Sequence, residues 1–120
     1  MLNISATAEA AGLSVKTVRY YSDIGLVRPA SRSEKGYRLY GESEIKKLIL
    51  VARARKFSFS IDECRDLLSL YENKNRSNAE VKNITLKKIS EIEERMRELT
   101  MLRKELASLA KACKGDERPD

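Results

Sequence analysis

The longest periodic stretch of the chain lies in its C-terminal third. Ile84, Ile89, Ile92, Met96, Leu99, Leu102, Leu106 and Leu109 recur mostly at steps of three and four, with Thr85 and Arg103 interrupting the row. The remaining faces are rich in Glu, Lys and Arg. This spacing predicts a helix of roughly 33 residues, about 50 Å long at 1.5 Å per residue. Ser77 and Glu80 stand at capping-box separation at its start. A single helix cannot bury such a stripe by itself. It needs a partner, and the simplest is a second copy of the chain in a coiled coil; folding back onto the upstream helices is the alternative.

Upstream, shorter elements follow one another closely. Residues 5–11 read as a helix, with Ser5 as a candidate N-cap and Gly12 as its stop. Ser14 can cap a second helix through VKTVRYYSDI, closed by Gly25. AGLS between them has the composition of a helix-turn-helix turn. Pro29 ends regular structure. In SRSEKGYRLY, residues 31–40, turn formers precede Tyr37, Leu39 and Tyr40, which predicts a β-hairpin. From Glu42 to Phe57, Ile45, Leu48, Ile49, Ala52 and Ala54 recur at roughly helical spacing. Ser60 and Glu63 form a capping box for a further helix, IDECRDLLSLY, whose Ile61, Cys64, Leu67, Leu68 and Tyr71 share one face.

Charge adds a direction to this pattern. The formal net charge is +6, and residues 12–56 carry eleven basic side chains against four acidic ones, while residues 57–120 carry thirteen of each. The excess is confined to the helix-turn-helix, the hairpin and the helix after them, as in a phosphate-binding module; a merely basic solvated surface is the alternative. The second helix of a helix-turn-helix meets base edges with its first turns. Here it offers Ser14, Lys16, Thr17, Arg19 and Tyr20, and the hairpin offers Arg32, Lys35, Gly36, Tyr37, Arg38 and Tyr40 as a phosphate-gripping wing. Either Tyr20 or Tyr21 should serve the core.

Composition also excludes. The chain has no histidine, which removes the commonest general base and the commonest metal ligand together. It has no Gly-rich phosphate loop, and an enzyme is not expected. No apolar run approaches the ~18 residues of a membrane span, and no signal-peptide core is visible, so a cytoplasmic protein without membrane partners is expected. In that compartment its two cysteines should be free thiols or ligands. Cys64 lies on an apolar helix face, where it should pack as a small hydrophobe. Cys113, at the mouth of the polar tail CKGDERPD, is placed to hold something.

TVRYYSDIGLVRP followed by SEKGYRLY resembles the signature of the MerR family of transcriptional regulators. The order helix-turn-helix, wing, helix pair and long helix extends the resemblance over the whole chain. It implies a mainly α fold: a winged helix-turn-helix DNA-binding domain over residues 1–72 and a dimerisation helix over 77–111 forming an antiparallel coiled coil. It also implies a metal-binding loop over 112–120. Family members are homodimers on double-stranded promoter DNA. They distort a spacer that is too long for RNA polymerase to engage both recognition elements, and so activate transcription.

The tail selects a branch of the family. SLAKACKGDERPD is similar to the copper-responsive activators, in which two cysteines flank a short loop. Cys113 matches the first, and the second is expected just beyond Pro119 and Asp120. Two thiolates suit Cu(I), with Ag(I) and Au(I) able to substitute, whereas Zn²⁺ takes about four ligands. Zinc- and mercury-sensing relatives place a further cysteine near the start of the dimer helix; the aligned position is Asn78, a poor soft-metal ligand. The helix N-terminus there and Lys82 could offset the site's negative charge, although Lys82 would equally suit a solvated helix face. The expected function is copper(I)-responsive activation of export or detoxification genes. A MerR-type regulator switched by thiol redox or another metal stays open, as does a coiled-coil nucleoid or interaction protein.

Overall fold

The computed structural model describes residues 1–72, 79–113 and 115. In chain order the elements are β1 (Leu2–Asn3), α1 (Ile4–Ala11), α2 (Val15–Asp23), β2 (Ser31–Arg32), β3 (Arg38–Tyr40), α3 (Glu42–Lys56), α4 (Ile61–Glu72) and α5 (Ala79–Ala112). The chain divides into two compact units, Met1–Ser77 and Asn78–Asp120.

In the first unit, the predicted hairpin is part of a three-stranded antiparallel sheet ordered β1-β3-β2. Leu2 pairs with Tyr40 and Asn3 with Leu39 on one side, and Ser31 with Leu39 and Arg32 with Arg38 on the other. A two-residue strand is too short to show a period, so nothing in the pattern announced β1. Its presence moves the start of α1: the cap is Asn3, whose Oδ1 accepts the Ala6 N–H at 2.9 Å, and not Ser5.

The other helix starts follow the local chemistry. Ser14 Oγ accepts the Thr17 N–H at 3.0 Å. Ser60 and Glu63 complete their reciprocal capping box, each side-chain oxygen accepting the other's backbone N–H at 3.0 Å. The turn joining α1 to α2 is a Schellman closure: Gly12 takes φ +71° and the Leu13 N–H reaches the Ala8 carbonyl at 2.9 Å. The same closure ends α3, but there the left-handed residue is Ser58, at φ +70°, with the Phe59 N–H on the Ala54 carbonyl at 3.1 Å. A side chain with a Cβ carries strain in that conformation that glycine would not.

One core serves the unit. Ala8 and Ala11 of α1, Val18 and Tyr21 of α2, Leu26 and Val27, Tyr40 of β3, Leu48, Val51 and Ala54 of α3, and Cys64 and Leu68 of α4 form a single buried cluster. On α3 the innermost row is Leu48, Val51 and Ala54, with Ile45, Ile49 and Ala52 only half-buried. The expected stripe therefore omitted Val51 and was turned part of a turn away. Cys64 is fully buried, as expected for a packing thiol, and burial pushes its pKa up.

The second unit is dominated by α5, 34 residues long, or about 51 Å. Ile84, Ile89, Ile92, Met96, Leu99, Leu102, Leu106 and Leu109 are all exposed. No helix among the described residues is long and apolar enough to cross a membrane.

Candidate nucleic-acid interface

Helix α2 divides its residues sharply between two faces. Val18 and Tyr21, three apart, are buried, which leaves Lys16, Arg19 and Tyr20 exposed on the outer side. Of the two tyrosines, Tyr21 belongs to the core, and Tyr20 is 52% exposed with its ring centroid 5.9 Å from that of Tyr21. Ser14 and Thr17 have local work to do. Besides the capping bond, the Ser14 hydroxyl lies 2.8 Å from Thr17 Oγ1, so the pair fixes the first turn of α2.

The wing is organised by backbone bonds around a tight turn. The Ser33 N–H donates to the Tyr37 carbonyl at 2.8 Å, the Gly36 N–H to the Ser33 carbonyl at 2.9 Å, and the Tyr37 N–H to Ser33 Oγ at 3.1 Å. Gly36 takes φ +86°, which suits a residue without a Cβ. Arg32 Nη1 donates to the Gly36 carbonyl at 2.9 Å and braces the turn from one strand. Lys35 and Tyr37 project from it, Tyr37 at 67% exposure.

The last strand of the wing departs from expectation. Tyr40, expected to grip phosphate, is completely buried, and no phosphate can reach it. Successive strand residues point to opposite faces, and the register of β3 between β1 and β2 turns Tyr40 inward. Its hydroxyl lies 2.6 Å from Ser22 Oγ. Arg38, two residues back, forms an ion pair with Asp23 at 2.6 Å. The hydrogen bond to Asp23 raises the Arg38 pKa above the usual guanidinium value, with burial opposing it. Neither Ser22 nor Asp23 figured among the expected site residues. These contacts span 15 and 18 positions in sequence, a separation over which local periodicity carries no signal.

The result is an exposed cationic and aromatic set on two adjoining elements: Lys16, Arg19 and Tyr20 from α2, and Arg32, Lys35 and Tyr37 from the wing. Guanidinium and ammonium groups supply charge and donors for phosphate, and aromatic edges pack on sugar or base.

Of the other expected residues, Cys113 is exposed and its N–H donates to the Leu109 carbonyl at 3.1 Å, continuing the bonding of α5. Lys82 is exposed in the first turns of α5. Asn78 lies outside the described residues, as do Ser77 and residues 114 and 116–120 of the expected loop. Among the described residues no group of three or more acidic or cysteine side chains is gathered to hold a metal ion. Among the described residues the soft donor there is the accessible thiol of Cys113, a ligand type that suits soft metal ions.

Comparison with known proteins covers nearly the whole chain. Residues 2–70 match the family described as MerR HTH family regulatory protein, and residues 45–109 that described as MerR, DNA binding. The HTH-type transcriptional regulator HmrR of Rhizobium leguminosarum bv. viciae is 48% identical over 119 residues, spanning 99% of this chain and 92% of that protein. The HTH-type transcriptional regulator CueR of Salmonella typhimurium is 41% identical over 119 residues, 99% of this chain and 86% of that one. Among solved structures, the transcription regulator PbrR691 of Ralstonia metallidurans CH34, in complex with lead(II), superposes with a TM-score of 0.64 at 32% identity. That match covers 100% of this chain and 92% of the other.

Proposed function

The chain belongs to the MerR family of transcriptional regulators, and from that premise we propose that it is a homodimeric, copper(I)-responsive activator of metal export or detoxification genes. Its family and relatives are transcription regulators and not enzymes. The two copies pair antiparallel through the exposed row of α5, which leaves two basic modules to engage one promoter duplex. Lys16, Arg19 and Tyr20 meet base edges and phosphate, and Arg32, Lys35 and Tyr37 grip the flanking backbone. The work is done in the cytoplasm, beside RNA polymerase, by bending and untwisting the spacer between promoter elements.

The observation that carries the metal reading is the accessible thiol of Cys113 at the end of α5. It is joined by similarity to CueR and to a regulator solved with lead(II). Cys113 is proposed to hold Cu(I), with Ag(I) and Au(I) as substitutes, and Lys82 to offset the negative charge that a dithiolate keeps around a monovalent ion. Bound metal would supply a rigid link between thiolates. Ser14 and Thr17 set the start of α2, and the Gly36 turn sets the wing tip, so that what changes on binding is the placement of whole modules.

Anaerobic equilibrium dialysis of the protein against Cu(I), followed by run-off transcription from a promoter it selects, tests this. Metal-dependent transcript that disappears in Cys113→Ser is expected. Transcription that responds to peroxide and ignores Cu(I) would favour a thiol redox switch at the same residue.

A further inference from the structure

We propose that Arg38 and Tyr40 are positioning residues that fix the angle of the wing to helix α2, and that Arg38 does not serve as a phosphate contact. The inference rests on the regulator reading above and assigns a task within the same surface.

The two residues are alternate members of β3, so their side chains leave the same face of the strand. Both end on the last turns of α2. Arg38 Nη2 donates to Asp23 Oδ1 at 2.6 Å, and Nη1 reaches the backbone carbonyl of Arg19 at 3.4 Å. Arg19 is itself one of the exposed residues placed to read DNA, so Arg38 holds the peptide that carries it. Tyr40 meets Ser22 at 2.6 Å, and Ser22 Oγ also lies 3.0 Å from the Val18 carbonyl. A serine hydroxyl has one proton; with that proton on the Val18 carbonyl, the Tyr40 O–H is the donor to Ser22.

Accessibility points the same way. The Arg38 side chain is 25% exposed, against 52% for Asp23, so the partner carboxylate is the more open member of the pair. A carboxylate bonded to an arginine repels phosphate and screens the charge beside it. Tyr40 has no exposure at all. Two tethers, one ionic and partly wet, one neutral and dry, thus join wing and helix at successive same-face positions.

The two roles for Arg38 make opposite statements about Asp23. A phosphate grip means that Asp23→Asn removes a repelling charge and frees the arginine, so affinity rises; Arg38→Gln would then lower the slope of log K against log salt by about one. A positioning role means that both substitutions weaken binding, by up to about fivefold, as for loss of a partly exposed ion pair. It also means that the salt slope is unchanged and that the double variant is no worse than either single one. The probe is the duplex that the unaltered protein selects from a random-sequence library, titrated at several salt concentrations. Tighter binding by Asp23→Asn, or a reduced slope in Arg38→Gln, overturns the proposal.

A second arm needs no DNA. Residual dipolar couplings of the free protein report the orientation of β3 relative to α2, and Arg38→Gln is expected to broaden or shift it while the thermal midpoint moves little. Unchanged couplings overturn the proposal as well. If the unaltered protein selects no duplex, the regulator reading fails instead, and the couplings still decide whether the tether exists.

Discussion

Residues 1–72 enclose Tyr40, Leu48, Val18 and Val51 at 1% exposure or less, whereas α5 leaves its apolar row between 38% exposed at Ile84 and 67% at Leu109. The first region has five helical and strand elements converging on one cluster, so each apolar face finds its cover inside the same chain. A single long helix has no such recourse. Its stripe is ordered as regularly as any core face yet stays exposed, so the free energy of burying it, about 25 cal/mol per Å², is not gained within the helix itself. One region buries its apolar faces within itself and the other leaves an apolar row exposed, and the two should respond differently to perturbation.

The largest expected effect is on association. Leu102→Glu, in the middle of the row, would bury an unpaired charge twice in a symmetric pair, and dimer affinity should fall by at least about a hundredfold. Sedimentation equilibrium reads it, and an unchanged dimer would mean that the row is not the seam. By contrast, Leu48→Ala should cost about 2–5 kcal/mol, the usual range for emptying a core site. Urea unfolding of the N-terminal signal should show that loss equally at low and high protein concentration. Concentration dependence there would blur the division between the regions.

Smaller changes sharpen it. Ser58→Gly should stabilise by about 1 kcal/mol, because glycine takes the left-handed position without a Cβ; a rise in thermal midpoint checks this. The smallest effect concerns Cys64, whose thiol is held neutral by burial. The unfolded thiol ionises near pH 8.5, so the unfolded state sheds its proton first. Stability from this group is then complete below that pH and declines as pH rises toward the higher folded value. The decline should be less than about 1 kcal/mol by pH 9. Comparing unfolding against pH for the unaltered chain and Cys64→Ala isolates it, the variant having the flatter curve.

Much of this division was legible in the sequence because its carriers are local. A serine three residues before a glutamate, a glycine after an alanine run and an apolar residue every third or fourth place each act within one turn. They yielded α2, α3, α4 and α5 close to their observed limits. What escaped was decided at a distance. β1 exists only because Leu2 and Asn3 find β3, almost forty residues on. That pairing, in turn, makes Asn3 the cap of α1. Tyr40 carries the same composition signal as Tyr37, two aromatics in one basic hairpin, yet the register of the sheet exposes one and buries the other. Arg38 likewise counts as a cation in any tally of charge, while Asp23 claims it in three dimensions.

Promoter distortion of the proposed kind requires two copies of one module held at a fixed separation by α5. Hydroxyl-radical footprinting of the unaltered protein on its selected duplex tests that requirement most directly. Two protected half-sites related by a dyad, appearing together as protein is added, are expected. A single protected patch that saturates alone, or uniform protection along the duplex, would contradict it.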